Sequence, residues 1–125
     1  MVLNWRGNEI VDALRDAHVT AARVTEQRLD DETTARKWDW VGPTTRSDGT
    51  VVTSPRDIVD TGAFRRSLRL ELAPWSAVYT WDVPYAASVI LGERTNTGVK
   101  PPRNITVEPL ANFADLYVET ARRAL

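Results

Sequence analysis

A chain of 125 residues with 42% hydrophobic and 26% charged side chains suits one water-soluble domain, because single cores are built from roughly 100–150 residues. Sixteen Lys and Arg against seventeen Asp and Glu give a net charge of −1, so the electrostatic footprint of a dedicated nucleic-acid binder is missing. The lack of cysteine removes disulfides, thiolate metal sites and a cysteine nucleophile, and no apolar run approaches the roughly 18–20 residues that span a bilayer.

The first residues, Met1 to Arg6, lack the apolar stretch of a signal peptide, and the protein is expected to stay in the compartment where it is made. From Asn8 to about Arg36, Ile10, Leu14, Ala17, Ala21 and Val24 recur at steps of four and three, with Val11 and Ala22 beside them. That spacing predicts an amphipathic helix, with Asn8 as its cap and Glu9 and Asp12 suited to its positive end. Its tail, Gln27 to Lys37, is polar nearly all round and is expected to fray or project unless a partner covers it. Trp38-Asp39-Trp40-Val41 alternates as a strand does and ends at Gly42-Pro43. Ser47-Asp48-Gly49 then separates Thr44-Thr45-Arg46 from Thr50-Val51-Val52-Thr53, which predicts a projecting β-hairpin. Asp60 follows as the expected N-cap of a short helical turn through Arg65.

Leu68, Leu70 and Leu72 alternate with Arg69 and Glu71, and Ala77 to Trp81 repeats the pattern, so two half-buried strands are expected to pair antiparallel. Pro84 opens a small-residue helix through Leu91 that Gly92 can stop. Glu93 to Arg103 gives no register for helix or strand and reads as a mobile loop. A last amphipathic helix turns Leu110, Phe113, Leu116, Tyr117, Ala121 and Leu125 inward, and Arg122 and Arg123 complement its negative end. The sum is an α+β fold in a single domain, 1–125: long N-terminal and C-terminal helices packed on one antiparallel sheet of about three to five strands. Five tryptophans suit either the core or the centre of a protein interface.

Catalytic chemistry is sparse. Asp60-Thr61-Gly62, between Ile58-Val59 and Ala63, looks like the active-site signature of retroviral-type aspartic proteases, which pair two such aspartates by dimerising. The second apolar-glycine element those enzymes need could only be Ile90-Leu91-Gly92, nearer the motif than in that family, and a helix-cap reading accounts for the same letters. His18, the sole histidine, lies among apolar neighbours and is expected on the helix surface or at a core edge rather than as a base. Asp30, Asp31 and Glu32 read as a solvated charge run, not a metal site. No catalytic, cofactor or metal residues are assigned, and no enzyme activity is expected.

The middle and end of the chain resemble the small neck and tail-completion proteins of long-tailed bacteriophages. The resemblance is carried by Trp38-Asp39-Trp40 before a glycine-turn hairpin, by Ser54-Pro55-Arg56-Asp57-Ile58-Val59-Asp60-Thr61-Gly62-Ala63-Phe64-Arg65-Arg66-Ser67, by Trp81-Asp82-Val83-Pro84-Tyr85-Ala86 with Val89-Ile90-Leu91-Gly92, and by Pro101-Pro102-Arg103-Asn104. The pattern covers about two thirds of the chain in order. It implies a structural virion protein, made in the host cytoplasm, that forms a six-fold homo-oligomeric ring at the head–tail junction. It also implies neighbouring head-connector or stopper proteins and tail-terminator or tail-tube proteins, with genome DNA passing through the lumen without sequence-specific binding. Ring contacts are head-to-tail and need two unlike surfaces. The 42–57 hairpin and the 93–103 loop are the candidates, with Trp38, Trp40, Arg46, Arg56, Arg94, Lys100 and Arg103 as expected subunit-interface residues. The alternatives are the aspartic protease and a monomeric adaptor that binds one partner protein through its tryptophans.

Overall fold

The computed structural model describes residues 7–39, 42–59, 62–95, 98–100 and 102–125, with backbone alone for 93–95 and 98–100. Helix α1 (Gly7–Thr34) buries Ala17, His18, Ala21, Ala22, Thr25, Leu29 and Thr33, a stripe at steps of three and four. The small residues in this stripe let α1 lie close along α5 (Phe113–Ala124), which buries Ala121 in return. Of the expected apolar face, Ile10, Leu14 and Val24 are half-buried and Val11 is exposed.

The polar tail of α1 does not fray. Leu29 is fully buried, Thr33 Oγ1 donates to the Leu29 carbonyl at 3.1 Å, and the Ile58 amide donates to the Thr33 carbonyl at 3.0 Å. Trp38 Nε1 caps the Glu32 carbonyl at 2.9 Å, and Arg65 forks onto both Asp30 oxygens at 2.8 and 2.9 Å. Asp30 accordingly raises the proton affinity of the Arg65 guanidinium. Hydrogen bonds and an ion pair, invisible to an apolar periodicity, hold this segment to the chain's own body.

The strands form three separate two-stranded antiparallel sheets among the described residues, not one sheet. Strands β1 (Thr44–Thr45) and β2 (Val51–Val52) make the expected hairpin, whose turn uses Gly49 at φ 87° and an Asp48 Oδ1 that accepts the Thr50 amide at 2.8 Å. That amide holds the Asp48 carboxyl below its usual range. Of the expected 38–41 strand, Trp38 bridges Arg56, and Trp40 and Val41 lie outside the described residues. Strands β3 (Leu68–Ala73) and β4 (Ser76–Trp81) pair in the register Leu68 to Trp81, with the three leucines half-buried and Arg69 and Glu71 exposed. Strands β5 (Glu93–Thr95) and β6 (Gly98–Lys100) pair where a loop was expected. Among the described residues the two shorter hairpins pair only within themselves and do not extend β3–β4.

Helix α2 (Ala63–Arg66) has Gly62 at its cap position, at φ 83°, with no side-chain cap. The cap expected at Asp60 lies outside the described residues, as does Thr61. Helix α3 (Ala86–Leu91) stops at Gly92, as anticipated. The C-terminal segment is two helices, α4 (Val107–Ala111) and α5, joined at Asn112. That break rotates Leu110 out to 48% exposure, and Leu125 is exposed at the end of the chain, so neither joins the core as predicted; Phe113, Leu116 and Tyr117 are half-buried.

The central core gathers Ile58, Phe64, Val89 and Ile105, with Trp38, Trp81, Val83, Ala86 and Ile90 packed against it. Phe64 and Trp81 stack with centroids 5.9 Å apart and planes within 4°. Each buried aromatic pair of this kind adds about 0.5–1.5 kcal/mol beyond its area.

Candidate functional site

Four of the seven residues expected at an interface converge beneath the β1–β2 hairpin. Trp38 and Arg56 exchange backbone hydrogen bonds at 2.9 and 2.8 Å, which fixes the segment after the hairpin against the end of α1. The Trp38 ring lies on the core and carries Lys37 Nζ 5.1 Å from its centroid. Arg56 is only 5% exposed. Its Nη1 donates to Thr44 Oγ1 at 2.6 Å and its Nη2 to the Gly42 carbonyl at 2.8 Å, so one guanidinium pins both the approach to the hairpin and its first strand. Arg46, on the hairpin itself, donates to Asp57 Oδ1 at 2.6 Å and to the Asp57 carbonyl at 3.1 Å. Arg103 is half-buried, its backbone amide bonded to Val89. Burial, and then the nearby charges of Arg56 and Arg46, hold the Arg103 pKa below that of an ordinary guanidinium.

Arg94 and Lys100 lie on β5 and β6, and their side chains, like Trp40, are outside the described residues. The residues chosen as interface types thus include two, Trp38 and Arg56, that anchor the chain's own fold.

A second feature escaped the sequence reading. An open groove of about 580 Å³ runs between the β3–β4 turn and α4–α5, walled by His18, Trp75, Tyr79, Leu110, Phe113 and Tyr117. Pro74 and Trp75 form the two-residue loop that closes β3–β4, and Trp75 takes φ 147° and is 55% exposed. Proline fixes its own φ near −65°, which excludes the turns that need a positive φ at the first loop position, and Trp75 takes the strained conformation instead. His18 Nε2 donates to the Ser76 carbonyl at 2.9 Å and its ring meets Phe113 edge-on at 6.2 Å. The Tyr79 hydroxyl donates to the Ala22 carbonyl at 2.7 Å, and burial raises its pKa. His18 Nε2 and the Tyr79 hydroxyl are therefore engaged, and the lining is mostly apolar. The available signals were Pro74-Trp75 in a two-residue connection and Val118 off the core stripe of the last helix.

Among the described residues no group of three or more His, Asp or Glu gathers as a metal site would require. Of Asp60-Thr61-Gly62 only the glycine is described, and it serves as the cap position of α2. No helix among the described residues is long and apolar enough to cross a membrane. Comparison of the chain with family models, with curated proteins and with solved structures finds no match.

Proposed function

We propose that this chain is a non-enzymatic ring subunit of the head–tail junction of a tailed bacteriophage, a neck or tail-completion protein whose closed ring surrounds the passing genome. The order of motifs from Trp38 to Asn104 supports the reading. The structural observation that carries it is the presence of two unlike accessible surfaces: a hairpin tip that exposes Val51 to 62%, and the apolar groove beside Trp75. A head-to-tail ring uses one surface of each kind per subunit, and a contiguous apolar groove is a feature that soluble monomers seldom leave open. The near-neutral charge fits a conduit, because a strongly basic lumen would retain DNA through its phosphates.

The test is native mass measurement of the purified chain, alone and with virion partners, followed by imaging of particles that contain it. The expected result is a closed ring, six-fold by the resemblance, located between head and tail. A chain that stays monomeric with its virion partners, or a peptidase activity that vanishes in Asp60→Asn, would overturn the proposal.

A further inference from the structure

Three guanidinium groups come together here from the hairpin (Arg46), the segment after it (Arg56) and the stretch before α4 (Arg103). Among the described residues the one carboxylate paired within the cluster is Asp57, which Arg46 holds at 2.6 Å. Arg56 gives its two Nη groups to neutral oxygens, Thr44 Oγ1 and the Gly42 carbonyl, which orient the guanidinium without neutralising it. The Nε groups of Arg56 and Arg103 are buried and carry no hydrogen-bond partner. Buried cations persist when an anion pairs with them, and a buried N–H without an acceptor is a rare and costly state. One ion pair, Arg46–Asp57, beside two further guanidinium groups whose buried Nε donors are unused describes a site that awaits an oxyanion.

We infer that the Arg46–Arg56–Arg103 cluster is an oxyanion site whose occupant in the assembled ring is a carboxylate side chain from a second copy of this chain; this deepens the ring reading and rests on it for the source of the anion. A carboxylate suits the site better than a nucleic-acid backbone. The side chains of Arg46 and Asp57 are only 18% and 21% exposed, so the approach admits a slender side chain and not a rigid duplex. Planar guanidinium forks match carboxylate geometry, and Asp57 already demonstrates the pairing. The chain also has carboxylates to offer, since Asp12, Asp16 and Asp115 are exposed on the outer faces of α1 and α5.

The experiment follows the arginine Nε–H signals of the isolated ¹⁵N-labelled full chain while acetate, inorganic phosphate or a short DNA duplex is added. Because it is read on the isolated subunit, its outcome does not depend on ring closure. Acetate and phosphate are expected to move the Arg56 and Arg103 signals saturably, the duplex to leave them in place, and Arg103→Gln to abolish the response with an unchanged melting curve. Should Arg103→Gln fail to fold, Arg103→Lys keeps the charge, loses the fork, and is expected to weaken acetate binding about tenfold. The absence of a saturable shift overturns the site, as does a shift that appears only in Asp60→Asn, which would make the chain's own carboxylate the occupant. A duplex that moves the signals as acetate does would assign the site to nucleic-acid phosphate and overturn the carboxylate. In assembly, Arg103→Gln is expected to lower the ring fraction about tenfold and Arg69→Gln, on the exposed face of β3, to leave it unchanged; full ring formation by Arg103→Gln would overturn the second-copy assignment.

Discussion

Gly62 shows how one residue can carry the meaning of a motif. Its φ of 83° lies in the left-handed region, and a Cβ there would come within 2.7 Å of Arg66 Nη1. Left-handed backbone costs an L-residue about 1–2 kcal/mol, so Gly62→Ala is expected to destabilise the fold by about that amount in urea unfolding. An unchanged midpoint would show that the chain can start α2 without the glycine. Tyr79 gives a pH-dependent counterpart. Its free phenol ionises near pH 10.0, and burial raises that value in the folded state. The folded chain therefore prefers the neutral phenol: this contribution is complete below pH 10.0 and is lost as the pH rises through the raised folded value. Urea midpoints should fall more steeply on the alkaline side for the parent chain than for Tyr79→Phe, and parallel profiles would refute the assignment. The glycine and the phenol differ in legibility. A glycine before a short helical pattern is readable in sequence, although the cap was first sought at Asp60, whereas the Tyr79 partner lies 57 positions away on another element and no local pattern announces it.

Elements whose two faces differ in polarity were legible. Leu68, Leu70 and Leu72 alternate with charged residues, so both strands and their antiparallel pairing were readable, and the structure adds the register, which a one-residue slip would break by exposing all three leucines. The tail of α1 was not legible, because Leu29 is the single large apolar residue in a polar run and its neighbours dock through hydrogen bonds. That docking is measurable. Leu29→Ala removes a fully buried side chain and is expected to cost about 2–5 kcal/mol; a change below about 0.5 kcal/mol, typical of exposed sites, would mean that the tail is loose after all. The β5–β6 hairpin was missed for a related reason, since its pairing rests on backbone groups and its residues show no alternation. Two-residue strands also open more readily than six-residue ones. In native-state hydrogen exchange the Arg46 and Gly49 amides of the β1–β2 hairpin are therefore expected to exchange well before the β3–β4 ladder in the free chain, and to slow on assembly; equal protection in both states would count against a hairpin contact.

For the molecule as a whole, the candidate segments and residue type led to Trp38, Arg46, Arg56 and Arg103, and the fold brings these four together. It also separates their roles, because Arg56 and Trp38 are committed to internal hydrogen bonds, while the groove, assembled from α1, β4 and α5, has no signature in any one stretch of sequence. The internal bonds decide how a ring contact should be probed. Deleting Thr45 to Val51 would take Arg46 away from Asp57 and confuse folding with assembly, whereas Val51 and Val118, at 62% and 48% exposure, can be changed to aspartate within about 0.5 kcal/mol of parent stability. In a head-to-tail ring each substitution spoils one surface and spares the other. Val51→Asp keeps a sound groove and Val118→Asp a sound hairpin, so neither variant alone is expected to associate. Mixed in equal amounts, they retain one productive pairing and should yield a one-to-one heterodimer that goes no further, seen as a single new species by native mass measurement. A mixture that stays monomeric would place the contact elsewhere, and variants that still close rings on their own would remove both the hairpin tip and the groove from it.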